Sequence, residues 1–192
     1  MNKTILITGS TDGIGFATAA SLLKLGHTVI LHGRNEQKLA KVKEQLSSLY
    51  GVENIFAYQA DLSVLSDVKK LAAEVQANHP KLDVLINNAG VFIVPDSISE
   101  DGLDTRFMVN TIAPFLLTTL LMPLLDKDSR VVNLSSAAQA PMRPEELLKT
   151  SLLSDSEVYA KSKLALTMWS RQMALTLGNE GQLWLPSTRN PF

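Results

Sequence analysis

Short apolar runs alternate with longer segments of helical spacing, and this alternation restricts the fold more than any other feature of the chain. Each run is continuously apolar, as expected for strands of a parallel sheet that is covered on both faces. Right-handed crossovers then favour an α/β fold: a Rossmann-type doubly wound parallel sheet in three layers, with its ligand at the carboxyl ends of the strands. The predicted strands are 4–8, 28–31, 54–58, 82–86 and 130–134, and the predicted helices are 14–25, 36–49, 64–78, 104–125 and 157–177.

Composition excludes several classes of protein. Without cysteine there is no disulfide framework, no cysteine-based metal site and no thiol nucleophile. The 18 basic and 19 acidic residues give a net charge of −1, which favours neither a nucleic-acid nor an acidic-membrane partner. The three histidines are scattered, which predicts no metal site, and the apolar stretch 112–125 contains two prolines and fits a buried helix. Because the first strand begins near residue 3, there is no room for a secretory signal, and we expect a soluble cytoplasmic protein.

A glycine-rich turn follows the first predicted strand and opens the first helix. Gly9 permits a tight turn, Gly13 removes a side chain where a pyrophosphate must approach, and Gly15 lets helix and strand pack closely. The spacing is GxxxGxG, and a helix start that needs flexible residues is the alternative explanation. The strand–turn–helix context favours a dinucleotide site. The predicted cofactor contacts in this turn are Gly9, Ser10, Thr11, Asp12, Gly13, Ile14 and Gly15.

The end of the second strand predicts which cofactor is used. NAD enzymes usually place a carboxylate there for the ribose 2′-hydroxyl, whereas this chain has Gly33 followed by Arg34 and Asn35. A guanidinium suits a 2′-phosphate, and the missing carboxylate removes its repulsion. NADP(H) is therefore favoured over NAD(H), with Arg34 and Asn35 as contacts. A surface arginine near a helix start is the alternative.

Six segments resemble, in order along the chain, the motifs of the short-chain dehydrogenase/reductase family. Each alone is weak evidence, whereas the ordered set over residues 3–178 is highly specific. The segment 100–104 and the leucine-rich helix after it resemble, more loosely, the retinol-dehydrogenase-like branch. The six segments are 8–15, 61–63 (Asp-Leu-Ser), 87–90 (Asn-Asn-Ala-Gly), Asn110, 132–136 and 159–163.

The resemblance implies hydride transfer between a nicotinamide cofactor and a small carbonyl or alcohol substrate, with Tyr159 as acid and base. A free tyrosine has a pKa of about 10, too high for work near neutral pH. Lys163 follows one helical turn later on the same face, and its charge favours the phenolate. Tyr159 and Lys163 are also implied to contact the cofactor, the lysine through the nicotinamide ribose.

Two further residues complete the implied catalytic set. Of the adjacent serines after the fifth strand, the resemblance implies that Ser136 donates a hydrogen bond to the reacting oxygen. Asn110 is implied to hold a relay water through its backbone carbonyl. Pro114, four residues later, supports this because proline has no N–H to bond that carbonyl. An ordinary proline kink explains the same pattern equally well.

The resemblance also implies contacts on the adenine side of the cofactor. Asp61 and Leu62 follow the third strand, and Asn87, Ala89 and Gly90 follow the fourth. Since Asn, Asp and Gly favour loops and caps in any protein, turn formation alone also accounts for them.

The resemblance stops near residue 178. The family continues with a sixth strand and a Pro-Gly turn, whereas residues 179–192 offer neither, so the sheet is expected to lack its last one or two strands. We therefore divide the chain into an NADP-binding catalytic core, 1–178, and an aberrant tail, 179–192. A truncated or frameshifted reading frame is the hypothesis for the tail. The fifth strand would then be an exposed apolar edge.

Three functions remain for the whole chain. The first is an NADP(H)-dependent oxidoreductase, and the second is a catalytically impaired nucleotide-binding remnant of such an enzyme. A sugar-nucleotide epimerase is disfavoured by the GxxxGxG turn and the Asn-Asn-Ala-Gly segment. The resemblance also suggests a homodimer through helices 104–125 and 157–177. The polar stretch 141–146 is expected at the mouth of the substrate site.

Overall fold

The computed structural model describes residues 2–143, 146, 153–178 and 185–187, and it has one parallel sheet. The strands are β1 (Thr4–Ile7), β2 (Thr28–Gly33), β3 (Ile55–Gln59), β4 (Val84–Asn87), β5 (Arg130–Leu134) and β6 (Leu185–Ser187). Their order in the sheet is β3-β2-β1-β4-β5-β6, so the chain winds outward from β1 in both directions. The predicted Rossmann-type doubly wound sheet is confirmed, with its topological switch point between β1 and β4.

Helices cover both faces of this sheet. They are α1 (Gly13–Lys24), α2 (Glu36–Tyr50), α3 (Leu65–Asn78), α4 (Thr105–Phe107), α5 (Ala113–Leu121) and α6 (Asp155–Gly178). Side chains of β1 alternate between two buried clusters. Ile5 and Ile7 pack with residues of α1 and α2, while Leu6 packs with residues of α3, α5 and α6. The molecule therefore has the three predicted layers.

The carboxyl-terminal edge of the sheet differs from the prediction. Residues Leu185–Ser187 form the short strand β6, which pairs in parallel with β5 in the register Val132↔Leu185. The expectation that β5 is the edge of the sheet is therefore corrected. Strand pairing uses backbone N–H and C=O groups, so even a short segment with a proline, which is tolerated at an edge, can add to a sheet. No seventh strand is found in the described part of the chain.

The long helix predicted over 104–125 is irregular. A π-helical turn, Met108–Ile112, joins α4 to α5, and a 3-10 turn, Met122–Leu124, follows α5. Pro114 explains the break, because it cannot donate to the carbonyl of Asn110. The stretch Thr105–Leu124 is long and apolar enough to cross a membrane, but more than half of it is buried against the rest of the protein, as in a core helix.

Candidate active site

A cleft of about 370 Å³ opens at the carboxyl ends of β1 to β4, where a doubly wound sheet binds its ligand. The turn 9–15 forms one wall, and residues after β2, β3 and β4 form the others. Eleven of the predicted cofactor contacts line it. The predicted residues in its lining are Gly9, Thr11, Asp12, Gly13, Ile14, Gly15, Arg34, Asp61, Leu62, Ala89 and Gly90.

Glycine is required at three positions of this cleft. Gly9 and Gly13 have φ of +63° and +50°, in the left-handed region that other residues rarely adopt. A Cβ on Gly15 would overlap the carbonyl oxygen of Gly9, so helix and turn pack as predicted. The turn leads directly into α1, whose first-turn N–H groups have no partner within the helix and favour an anion.

Thr8 and Asn88 join this turn to the end of β4. The hydroxyl oxygen of Thr8 accepts from the N–H groups of Asn88 and Ala89, at 3.0 and 3.1 Å. The Asn88 side-chain amide donates to the carbonyl oxygens of Thr8 and Gly9, at 2.8 and 3.0 Å. Asn88 also lines the cleft, although it was not among the predicted site residues.

Asn87, in contrast, lies outside the lining of the cleft. Its side chain is buried beneath α5 and donates to Thr118 and Asn133, at 3.1 and 2.7 Å. Strand alternation accounts for this, because Asn87 shares a face of β4 with the fully buried Leu85. Asn87 thus supports the sheet, and Asn88 is the asparagine of this segment that lines the cleft.

Two more of the predicted contacts, Ser10 and Asn35, form hydrogen bonds with the backbone of the protein. Ser10 is fully buried, and its hydroxyl bonds the backbone of His32. Asn35 is the N-cap of α2, where its side-chain oxygen accepts from the N–H of Lys38 at 2.8 Å. Neither residue is in the lining of the cleft. Capping favours asparagine for its own reasons.

Arg34 follows β2 and is exposed at the wall of the cleft. A Cβ on Gly33 would lie 2.5 Å from the Thr11 side chain, so any larger residue requires Thr11 to move. Asp12 caps α1 and forms an ion pair with Lys38 at 2.7 Å. The Lys38 ammonium and the Gly13 N–H lower the pKa of the Asp12 carboxyl. The negative charge of Asp12 is therefore partly neutralised by Lys38.

Asp61 follows β3 and lines the cleft. One of its carboxylate oxygens accepts from the N–H and the hydroxyl of Ser63, at 2.8 and 2.6 Å. The next residue, Leu62, is buried beneath the cleft. In the Asp-Leu-Ser segment, Asp61 and Ser63 therefore stabilise the loop, and Asp61 and Leu62 also line the cleft.

The inner end of the cleft brings Gly90, Lys163 and Asn110 together. A Cβ on Gly90 would lie 3.2 Å from Lys163 Nζ and 3.4 Å from Asn110 Oδ1. The Asn110 side chain is held by both backbone groups of Val91 and by the Ser162 hydroxyl. Asn110 also sits within the π-helical turn, a feature that is frequent at functional sites.

Lys163 is a buried ammonium, with 4% of its surface exposed. Its Nζ donates to the carbonyl oxygen of Leu134 at 2.8 Å. Burial lowers the pKa of Lys163 from 10.5 to about 8. The group therefore carries its charge at neutral pH at an energetic cost.

Tyr159 lies between Lys163 and an aromatic neighbour. The Lys163 Nζ is 5.8 Å from the centre of the Tyr159 ring, and Phe92 packs edge-on against that ring at 5.1 Å. Phe92 is 44% exposed and was missed by the sequence analysis, because nothing in the local pattern pairs residues so far apart.

The two serines after β5 have different surroundings. Ser135 is buried and its hydroxyl is bonded to the Lys163 carbonyl oxygen and the Thr167 hydroxyl. The Ser136 oxygen accepts from the Ala138 N–H at 3.1 Å and is partly exposed. Since its own hydroxyl proton has no partner among the described residues, Ser136 is the better donor to a substrate oxygen.

The mouth of the site is partly described. Lys161 Nζ donates to the carbonyl oxygen of Pro141 at 2.9 Å and pairs with Glu146 at 3.0 Å, so the predicted mouth stretch contacts the helix that bears Tyr159. Residues 144 and 145 of that stretch lie outside the described residues. Among those described, no group of three metal-binding side chains is found.

Comparisons with known proteins find a matching family model and similar sequences. A family model described as short chain dehydrogenase matches residues 3–181. Retinol dehydrogenase 14 of Mus musculus is 37% identical over 189 residues, which cover 91% of this chain and 57% of that protein. Polyprenol dehydrogenase of Homo sapiens is 32% identical over 188 residues, which cover 94% of this chain and 57% of that protein.

A solved structure supports the same relationship. A metagenomic short-chain oxidoreductase in complex with NADP matches with a TM-score of 0.77 and 27% identity, over 99% of this chain and 83% of that one. The chain thus resembles a protein that binds NADP in this fold, while it spans 57% of the length of the two curated relatives.

Proposed function

The chain belongs to the short-chain dehydrogenase family, and on that basis we propose that it transfers a hydride between NADP(H) and a carbonyl or alcohol substrate. The convergence of Lys163 and Asn110 on Gly90, at the inner end of a glycine-lined cleft, carries this proposal. Tyr159, one helical turn before Lys163, is the proposed acid and base.

The cleft fits a dinucleotide. Gly9, Gly13 and the first turn of α1 suit a pyrophosphate, Asp61 and Leu62 suit the adenine side, and Gly90 opens the way to Lys163. The bound nicotinamide would supply or accept the hydride. Its ribose would then lie near the Lys163 ammonium.

NADP(H) is the proposed choice over NAD(H). Arg34 offers a guanidinium at the cleft wall, and Gly33 removes the carboxylate that would repel a 2′-phosphate. The one acidic residue of the turn, Asp12, is paired with Lys38. Its repulsion of a phosphate is therefore reduced.

The residues at the inner end have distinct roles in this proposal. As hydride adds to the carbonyl carbon, the Tyr159 hydroxyl gives its proton to the carbonyl oxygen and becomes a phenolate; the alcohol direction reverses both transfers. The Lys163 charge stabilises that phenolate, and the Ser136 hydroxyl donates to the same substrate oxygen. Asn110 is proposed to hold a water through its backbone carbonyl for proton return.

The test is to titrate the purified 192-residue chain with NADPH and NADH, then to follow NADPH absorbance with a panel of carbonyl compounds. The panel includes retinaldehyde and prenyl aldehydes beside small ketones, because two relatives are named for retinol and polyprenol. Turnover supports the enzyme. Binding without turnover supports instead the second candidate, a catalytically impaired nucleotide-binding protein. Absence of binding contradicts both.

We also propose a homodimer through α5 and α6. These helices form an apolar groove that includes Phe115, Trp169 and Met173, and Met168 in the groove is 58% exposed. Met168→Glu should shift the chain from dimer to monomer in sedimentation. Leu175→Glu is the matched control, since Leu175 is 57% exposed on the same helix but does not line the groove. A wild-type chain that sediments as a monomer contradicts the proposal.

A further inference from the structure

One buried histidine links the walls of the cleft, although the proposed chemistry does not use it. His32 is the fifth residue of β2 and is 3% exposed. Its Nδ1 is 3.1 Å from the Gly9 N of the glycine turn, and its Nε2 is 3.2 Å from the Ala60 carbonyl oxygen, after β3. The ring therefore bridges two segments that both line the cleft.

The partners of the ring fix its protonation. A backbone N–H donates only, so Nδ1 must accept from Gly9; a carbonyl oxygen accepts only, so Nε2 must carry the proton. The neutral Nε2–H tautomer is the one form that makes both bonds. Burial acts in the same direction, because it lowers the pKa of His32 to about 4.

The backbone of His32 adds to this connection. Its N–H donates to the Ser10 hydroxyl oxygen at 2.8 Å, and its carbonyl oxygen accepts from the Ser10 N–H at 2.9 Å. Two consecutive residues of the glycine turn are thus bonded to one residue of β2.

We propose that His32 is a positioning residue for the cofactor: its Nε2–H tautomer holds Gly9 in its left-handed conformation and fixes the phosphate turn against the adenine wall. The proposal rests on the proposed binding of NADP(H). The Gly9 N–H is then committed to the ring, which leaves the first-turn N–H groups of α1 to face the pyrophosphate.

Amide substitutions separate the two ring contacts. In His32→Asn the side-chain oxygen falls near the position of Nδ1 and keeps an acceptor for Gly9, while the bond to Ala60 is lost. In His32→Gln the side-chain nitrogen falls near Nε2 and keeps a donor for Ala60, while Gly9 loses its acceptor. Dissociation constants for NADP⁺, measured by calorimetry where all variants are folded, should stay within about threefold for Asn and rise about tenfold for Gln.

Magnetic resonance tests the geometry without a cofactor. In the wild type, ring nitrogen shifts of His32 should show Nδ1 unprotonated and Nε2 protonated, and the Gly9 amide should exchange slowly with solvent. That amide should remain slow in His32→Asn and become fast in His32→Gln. The control is His79→Asn, which removes another buried histidine, bonded to Tyr58 rather than to the cleft.

The outcomes separate this inference from the proposed function. If the wild type binds neither NADP⁺ nor NAD⁺, the proposed function fails. If it binds but affinity is equal in Asn and Gln, or follows thermal stability across all variants including His79→Asn, His32 has only a structural role. An Nδ1–H tautomer in the wild type contradicts the inference independently of any cofactor.

Discussion

Each end of the cleft has one buried titratable side chain, and the two differ in charge and in hydrogen bonding. At the adenine end His32 is neutral, and both of its ring nitrogens are bonded to backbone groups. At the inner end Lys163 carries a buried ammonium, and its Nζ has one hydrogen-bond partner among the described residues, the carbonyl oxygen of Leu134. The first arrangement is satisfied without a ligand, whereas the second leaves donors for one. The proposed binding end is therefore preformed, and the charge at the proposed catalytic end lowers the stability of the fold.

The largest predicted effect removes chemistry at the inner end alone. Tyr159→Phe deletes the phenol proton and keeps the ring that packs against Phe92. We expect kcat to fall by about 10²- to 10⁴-fold, the usual contribution of a general acid–base, with NADPH affinity within about twofold. Tyr50→Phe, at the end of α2, is the control and should leave kcat unchanged. If Tyr159→Phe keeps wild-type turnover, the tyrosine is not the acid.

Local motifs and long-range contacts explain what the sequence predicts and what it does not. The glycine turn was predictable because strand, turn and helix are consecutive, and Pro114 predicted the irregular helix around Asn110. Strand alternation decides whether Asn87 or Asn88 faces the cleft. The prediction of Asn87 as a contact did not take this alternation into account. The ring contacts of His32 and the contact of Phe92 with Tyr159 depend on how separate segments pack, and no local pattern encodes this.

The second effect concerns the adenine end and acid pH. The folded-state pKa of His32, about 4, lies below its usual 6.5, so the unfolded chain takes up the proton first as pH falls. The neutral His32 ring makes its full contribution to the free energy of unfolding above pH 6.5. Between pH 6.5 and pH 4 this contribution is lost, which lowers the free energy of unfolding by about 3 kcal/mol at most. Urea unfolding from pH 7 to 4.5 should therefore show a steeper loss in the wild type than in His32→Asn. Parallel curves would contradict the neutral buried ring.

The third effect tests the cost at the inner end, in a different pH window. The pKa of Lys163 is about 8 instead of 10.5 because the ammonium is buried. At neutral pH the buried charge therefore lowers the free energy of unfolding. Lys163→Met should therefore raise the free energy of unfolding at pH 7 by about 1–3 kcal/mol, while turnover is lost. Because wild-type stability recovers between pH 8 and 10.5, the difference should shrink over that range. Lys161→Met, which breaks the pair with Glu146, should not stabilise the chain.

The smallest effect returns to the adenine end and asks whether its preformed wall selects the cofactor. Arg34→Ala removes the guanidinium at the cleft wall. A charge-assisted hydrogen bond to phosphate is worth about 1.5–3 kcal/mol, so NADPH affinity should fall at least about tenfold while NADH affinity stays within about twofold. Lys41→Ala, an exposed lysine of α2 outside the cleft, should change neither. Equal losses for both cofactors would mean that Arg34 supports the wall without reading the 2′-phosphate. In that case the end of the cleft near His32 would be preformed but would not discriminate between the two cofactors. Only His32 would then distinguish it from the end near Lys163.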